Sequence, residues 1–202
     1  MIKIIAITGG IGSGKTTVSK YLKKNNFAVH ESDRVVAKMY SRPNKSFLSF
    51  LKKNISKEVV RNNEINKKKI TDIIFNNPKT KKALEDHIHK QVKKSRDIFI
   101  KKNIKKKKSA VFVDIPLLFE NKLEKIFDEV LCVIAKKKIR RERVLKNKKY
   151  TKNILEKIFK SQISDSERKR KSNTIIYNNT TKKDFIFSLE KALIGLLKWE
   201  KL

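Results

Sequence analysis

Short apolar runs alternate along this chain with longer stretches of helical periodicity. The longer stretches repeat apolar residues every three or four positions, which predicts helices. The short runs are rich in β-branched residues and predict strands that are buried on both faces of a sheet. Five such runs occur, at residues 2–8, 27–30, 110–115, 130–135 and 174–177. Strands that alternate with helices favour an α/β fold with a doubly wound, parallel five-stranded sheet.

One long region lacks a strand pattern. Residues 43–102 are polar, and their apolar residues recur at helical spacing, so we predict an all-helical insertion there. The flanking residues, 1–42 and 103–202, are then expected to form one core around the sheet. The last helix is predicted from Phe185 to Trp199, and Trp199 is expected to take part in packing.

The length and composition favour one domain that has no membrane span. A chain of 202 residues can bury a sizeable core. No segment approaches the roughly eighteen continuous apolar residues of a membrane-spanning helix. The single cysteine, Cys132, lies in an apolar run, so we expect a small buried side chain rather than a reactive thiol. It can form no internal disulfide, and the cytoplasm is the expected compartment.

A glycine-rich loop follows the first predicted strand. Residues 9–16 read GGIGSGKT, which fits the spacing G-x-x-x-x-G-K-[ST], and a helical pattern begins directly afterwards. Four of the five glycines in the chain lie in this loop. This strand–loop–helix context predicts a phosphate-binding P-loop, in which successive backbone N–H groups and the helix N-terminus surround an anion. Lys15 would reach the β- and γ-phosphate oxygens, and the Thr16 hydroxyl would bind Mg²⁺.

Two acids lie at the ends of predicted strands. Asp33 follows the second strand, where ligands of open α/β sheets bind, so it could meet a substrate hydroxyl or could equally be a helix cap or a surface acid. Asp114 lies near the end of the third strand, which fits the Walker-B role of holding Mg²⁺ or its water shell.

The net charge of +32 invites a nucleic-acid hypothesis. The lysines, however, are spread along the chain together with abundant Asn and Ile, an enrichment that an AT-rich coding sequence imposes on any protein. Dense basic clusters occur at residues 101–108, 136–143 and 168–171, and the last two lie where a lid over an anionic substrate could be. We therefore expect no specific nucleic-acid partner.

Several separated segments together resemble the dephospho-coenzyme A kinase family along essentially the full chain. They are ITGGIGSGKTTV, HESDRVVAKMY, IFNNPKTKKALEDHIH, DIPLLFEN and QISDSERKRKSNTIIYNN. The P-loop alone is shared by many NTPases. The combination of TGGIGSGK, the P-L-L-F-E turn after the third strand and a distal Q-x-x-x-x-x-R before I-I-x-N-N is specific.

The resemblance implies transfer of the γ-phosphoryl group of ATP to the 3′-hydroxyl of dephospho-coenzyme A. It also implies a nucleotide core, a helical substrate-binding domain and a lid at about residues 140–171. ATP phosphates would be bound by Gly10, Ile11, Gly12, Ser13, Gly14, Lys15, Thr16 and Thr17. Catalysis would involve Lys15, the proposed base Asp33, and two arginines expected to face phosphates, Arg143 and Arg168. Substrate contacts would come from Asp33, Lys38, His89, Leu117, Phe119, Glu120 and Gln162, and Mg²⁺ would be held by Thr16 and Asp114.

The chain departs from the family pattern at four places. It has Glu31-Ser32-Asp33 where the family usually has Asp-Ala-Asp, and Lys38 in place of an arginine. Lys90 stands where a proline often follows His89, and Asn147 stands where a second arginine is common after Arg143.

Two other functions are compatible with the P-loop. One is a nucleoside monophosphate kinase, which lacks support from the P-L-L-F-E turn. The other is a basic RNA-associated NTPase, which lacks a basic face interleaved with aromatic residues. The expected ligands are small molecules, ATP and dephospho-coenzyme A, and the expected state is a monomer or a weak homo-oligomer.

Overall fold

The computed structural model of this protein describes residues 2–148 and 150–197, so Trp199 lies outside the described residues. In chain order the strands are β1 (Lys3–Gly9), β2 (Ala28–Glu31), β3 (Val60–Arg61), β4 (Glu64–Ile65), β5 (Ala110–Asp114), β6 (Glu129–Ile134) and β7 (Thr174–Tyr177). The helices are α1 (Lys15–Lys24), α2 (Ser32–Ser41), α3 (Lys45–Asn54), α4 (Lys67–Asn76), α5 (Pro78–Lys105), α6 (Lys137–Lys146), α7 (Lys152–Ser161), α8 (Asp165–Arg170) and α9 (Lys182–Leu197), with 3-10 turns at Lys57–Val59 and Glu124–Ile126.

The predicted five-stranded parallel sheet is confirmed. Its strand order is β2-β5-β1-β6-β7, and each neighbouring pair is parallel. β1 lies at the centre between β5 and β6, with Ile7 paired to Asp114 on one side and to Leu131 on the other. Because the carboxyl ends of parallel strands lie at one edge of the sheet, this order brings the loop after β1 and the end of β5 together.

The core explains why the strands appear in the sequence as continuous apolar runs. Ile5, Phe112 and Leu131 from the sheet are fully buried in one cluster with residues of α1 and α9. Cys132 on β6 is also fully buried, and this burial raises the pKa of its thiol. The expectation of a small buried cysteine is therefore confirmed.

The chain divides into two units, one formed by Met1–Glu31 with Ile100–Leu202 and the other by Ser32–Phe99. The boundary precedes α2, whereas the sequence placed the start of the insertion at residue 43. The second unit has its own apolar cluster, in which Phe47, Leu51 and Val59 are almost completely buried.

The prediction that the insertion is all-helical is wrong in one detail. β3 and β4 form an antiparallel hairpin with Val60 paired to Ile65. Asn62 and Asn63 connect the strands with φ angles of 50° and 62°. Two consecutive positive φ values are typical of the tight turn that joins hairpin strands, and asparagine adopts them more readily than most residues. Each strand has only two residues, too few for a pattern that alternates with period two.

Candidate active site

The loop between β1 and α1 is arranged to bind an anion. Gly14 precedes α1 with a φ angle of 113°, and a Cβ atom there would lie 2.2 Å from Asn178 Nδ2. Asn178 Nδ2 donates a hydrogen bond of 2.8 Å to the Ser13 carbonyl oxygen. Among the described residues, the N–H groups of Gly12, Gly14 and Thr16 donate no backbone hydrogen bond. They are therefore able to donate to phosphate oxygens.

The Lys15 side chain lies against the first residues of the same loop. Its Nζ atom donates to the Gly9 carbonyl oxygen at 2.7 Å and contacts the Gly10 carbonyl oxygen at 3.4 Å. The Ser13 hydroxyl is buried and has no hydrogen-bond partner within the described part of the chain. The loop thus carries a cation beside backbone N–H groups that can donate to a nucleotide phosphate.

A carboxylate lies at the end of the neighbouring strand. Asp114 is the last residue of β5, and its Oδ2 atom accepts a hydrogen bond of 2.9 Å from Ser19 Oγ. Ser19 is on α1, three residues after Thr16, and is fully buried. A carboxylate such as that of Asp114 and a hydroxyl such as that of Thr16 are suitable oxygen ligands for Mg²⁺. Within residues 2–148 and 150–197, no group of three or more His, Cys, Asp or Glu side chains is arranged to hold a metal.

Arg143 contacts the loop through an asparagine. Its Nη2 atom donates to Asn178 Oδ1 at 3.1 Å, and Asn178 in turn binds the Ser13 carbonyl oxygen. Arg143 Nη1 is buried without a hydrogen-bond partner among the described residues. An unsatisfied guanidinium N–H group is costly, so this atom is suited to an anionic ligand.

A network of alternating charges lies beside the loop. Asp165 accepts from Arg140 Nη2 at 2.9 Å and from Arg168 Nη1 at 3.1 Å. Arg168 Nη2 donates to Glu120 Oε1 at 3.2 Å, and this same oxygen accepts from the Ile163 N–H group at 3.1 Å. Only 2% of the Arg168 side chain is exposed. In this structure its guanidinium is therefore bound by two carboxylates rather than open to a ligand.

Other residues expected at the site lie in the same unit. Gln162 follows α7, and its Oε1 atom accepts a hydrogen bond of 3.1 Å from the Ile11 N–H group in the loop. Leu117 is exposed and Phe119 is buried in the turn after β5. Glu120 in this turn belongs to the charge network described above.

Asp33, Lys38 and His89 belong to the second unit. Asp33 is in the first turn of α2, and all three side chains are exposed. Lys38 lines a cavity of about 150 Å³ together with Arg42 and His87. The His87 ring stacks on Phe50 with ring centroids 3.9 Å apart. Burial and, secondarily, the nearby Lys90 charge lower the pKa of His87.

Known proteins match this sequence over almost its full length. A family model described as dephospho-CoA kinase matches residues 3–184. The chain belongs to the dephospho-CoA kinase family. A dephospho-CoA kinase of Fusobacterium nucleatum is 34% identical over 201 residues, which cover 94% of this chain and 96% of the relative. One from Staphylococcus aureus is 32% identical, with 96% and 93% covered.

Solved structures share the fold of this chain. A crystal structure of a Thermus thermophilus protein has a TM-score of 0.81 and 26% identity, and covers 97% of this chain and 98% of that chain. The dephospho-CoA kinase of Campylobacter jejuni has a TM-score of 0.73 at 24% identity, with 98% of each chain covered, and so supports the fold.

Membership of the dephospho-CoA kinase family identifies the chain as an ATP-dependent kinase that acts on dephospho-coenzyme A. The nucleoside monophosphate kinase and RNA-associated NTPase alternatives are thereby set aside. Within the described part of the chain, none of the helices has both the length and the apolar character needed to cross a bilayer.

Sequence reasoning did not single out three residues that lie near the loop. Ser19 and Arg140 are polar residues buried in helices. Asn178 is also buried and belongs to the I-I-x-N-N segment, but the sequence pattern predicts no function for it. Ser19 was detectable as a serine among apolar neighbours on the inward face of α1. Arg140 was not detectable, because α6 is basic on every side and its pattern does not reveal which arginine faces inward.

Proposed function

We propose that the P-loop of this chain binds ATP and that Asp33 prepares the 3′-hydroxyl of dephospho-coenzyme A for attack on the γ-phosphorus. The main support is the loop itself. Among the residues that the structure describes, the N–H groups of Gly12, Gly14 and Thr16 donate to no backbone oxygen, and the Lys15 ammonium group lies in the same loop. Phosphoryl transfer needs positioning and charge neutralisation more than covalent chemistry, and this loop can supply both.

We further propose that Mg²⁺ is held by Thr16 and Asp114 together with phosphate oxygens. Magnesium in kinase sites is usually bound through one or two protein ligands, phosphates and waters, which these two residues fit. When bound, the ion neutralises charge on the β- and γ-phosphate oxygens. The hydrogen bond from Ser19 keeps the Asp114 carboxylate in one orientation.

In this proposal each side chain has a separate task. Lys15 binds the β- and γ-phosphate oxygens, and Asp33 accepts the proton of the attacking hydroxyl. The exposed position of Asp33 in the first turn of α2 leaves its carboxylate accessible to an acceptor. Arg143, whose Nη1 has no partner within the described chain, binds phosphate charge that grows during transfer.

The roles of the remaining site residues stay predictions. Gln162 and Arg168 belong to the expected lid, which would exclude water from the phosphates. Lys38 and His89 are proposed to contact the acceptor, as are the residues of the P-L-L-F-E turn. A cytoplasmic location and a monomeric or weakly associating state are also retained as predictions.

An acceptor panel tests the proposal. ADP release from ATP and Mg²⁺ is followed with dephospho-coenzyme A, AMP, CMP or shikimate as acceptor. We expect turnover with dephospho-coenzyme A alone and its loss in Lys15→Met. Equal turnover with AMP or CMP, or full activity of the Lys15→Met variant, would contradict the proposed roles.

A further inference from the structure

The guanidinium of Arg140 packs directly on the phosphate-binding loop. A Cβ atom built at Gly10 would lie 2.1 Å from Arg140 Nη1 and 3.1 Å from its Cζ atom. A side chain at position 10 would therefore collide with the arginine. Only 7% of the Arg140 side chain is exposed, so this contact is part of the interior.

Two groups hold Arg140 in this position. Its Nη2 atom forms the 2.9 Å hydrogen bond to Asp165, and its guanidinium lies 5.2 Å from the centre of the Phe159 ring. The ion pair fixes one edge of the guanidinium, and the ring supports its face. The other terminal nitrogen, Nη1, lies against Gly10. Arg140 Nε is buried without a hydrogen-bond partner among the described residues. Hydrogen bonding alone therefore does not account for the burial of the Arg140 side chain.

Gly10 connects Arg140 to Lys15. The Lys15 Nζ atom lies 2.7 Å from the Gly9 carbonyl oxygen and 3.4 Å from that of Gly10. Both oxygens belong to the short segment on which Arg140 packs. A shift of this segment would therefore move the oxygens that the ammonium group contacts.

We propose that Arg140 is a positioning residue that fixes the Gly9–Gly10 segment and through it the Lys15 ammonium group. Asp165 and Phe159 orient the guanidinium, and the guanidinium supports the loop. This inference rests on the phosphate role proposed above for Lys15.

The proposal predicts different effects on triphosphate and diphosphate binding, which general loss of structure would not produce. In a P-loop the backbone N–H groups surround the α- and β-phosphates, whereas the lysine reaches the β- and γ-phosphates. A displaced Lys15 should weaken binding of a triphosphate more than binding of a diphosphate. It should also lower kcat, because charge on the transferred group is no longer neutralised in the correct place.

The test compares four variants with the parent. Arg140→Met removes the charge but leaves Asp165 paired with Arg168, so folding should survive. Arg140→Lys keeps a charge but cannot bind Asp165 and pack on Gly10 together. Arg141→Met is the matched control, because Arg141 is next on α6 and pairs with Glu156 at the protein surface. Lys15→Met is the reference for loss of the lysine.

Calorimetry gives the affinity for ADP and for a non-hydrolysable ATP analogue, and steady-state assays give kcat. We expect both Arg140 variants to lose about tenfold or more in analogue affinity and in kcat, and less than about threefold in ADP affinity. Arg141→Met should resemble the parent. If Arg140→Met does not fold, the measurements on Arg140→Lys decide.

Three results would refute the inference or its basis. Parent-like analogue binding and kcat in Arg140→Lys would show that the fork of Arg140 is not needed. Equal losses for ADP and for the analogue would indicate general damage instead of a displaced lysine. If Lys15→Met kept the preference for the triphosphate, the proposed role of Lys15 would be wrong. If Lys15→Met lost this preference and the Arg140 variants kept it, only the role of Arg140 would be wrong.

Discussion

Replacing Ser19 by alanine should weaken both the fold and the metal dependence of the reaction. Ser19 is fully buried on α1, and its hydroxyl donates the 2.9 Å hydrogen bond to Asp114 Oδ2. The substitution removes one oxygen and leaves the carboxylate without this donor. Alanine is also the best helix former, so the helix itself should not suffer.

The size of the effect follows from the charge of the acceptor. A hydrogen bond to a charged group contributes about 1.5–3 kcal/mol to stability. For a chain of this size each kcal/mol changes Tm by about 2–4 °C, so we expect a decrease of roughly 3–12 °C. Loss of a residue that orients a metal ligand typically costs about 10- to 100-fold in metal affinity or activity. The Mg²⁺ concentration for half-maximal activity should rise by about tenfold or more.

Two measurements on purified variants test this reasoning. Thermal unfolding gives Tm, and a Mg²⁺ titration of ADP release at saturating ATP and dephospho-coenzyme A gives the metal requirement. Ser161→Ala is the control, because that serine is exposed and donates its hydrogen bond to the nearby Ile158 carbonyl oxygen in α7. A Ser19→Ala variant with an unchanged Mg²⁺ requirement would refute the orienting role, even if its Tm fell.

Three further predictions concern the acceptor base, the lid and pH. Asp33→Asn should abolish phosphoryl transfer in single-turnover assays and leave the ATP affinity measured by calorimetry within about twofold of the parent. Normal turnover would exclude Asp33 as the base. Arg143→Ala should lower kcat by about 10³-fold, and a parent-like kcat would remove it from the mechanism. Because the pKa of His87 is lowered in the folded state, the unfolded chain takes up its proton first, so stability should fall as pH drops below about 6.5. Urea midpoints should show this decrease between about pH 7 and 5, and His87→Phe should make it smaller; identical slopes would contradict the interpretation.

The sheet could be predicted from sequence because its strands are parallel and covered on both sides. Such strands contain few polar residues, as in β5, where four of five residues are buried. The hairpin of β3 and β4 could not be predicted in the same way. It depends on backbone pairing and on a tight turn in which Asn62 and Asn63 adopt positive φ angles. A strand of only two residues leaves no alternating pattern in the sequence.

Part of the candidate site could likewise be predicted from the sequence, and part of it could not. The loop and the strand-end acid Asp114 are local in sequence, so motif and position were sufficient to suggest them. The partners of these residues come from distant segments. Asn178 contacts Ser13 across 165 positions, and Arg140 contacts Asp165 across 25. Such pairings depend on how α6, α8 and β7 pack, which residue spacing along the chain does not encode.

The lone thiol of this chain is a natural reporter of global opening. Cys132 lies on β6 beside the central strand, shielded from solvent, and its raised pKa disfavours the thiolate that alkylating reagents attack. In the native protein it should therefore react very slowly. Since the sequence has no second cysteine, alkylation of the native chain would report opening of the sheet around this one residue. The mass shift that alkylation gives the intact chain would then report this opening at one known position, in the parent and in every variant described above.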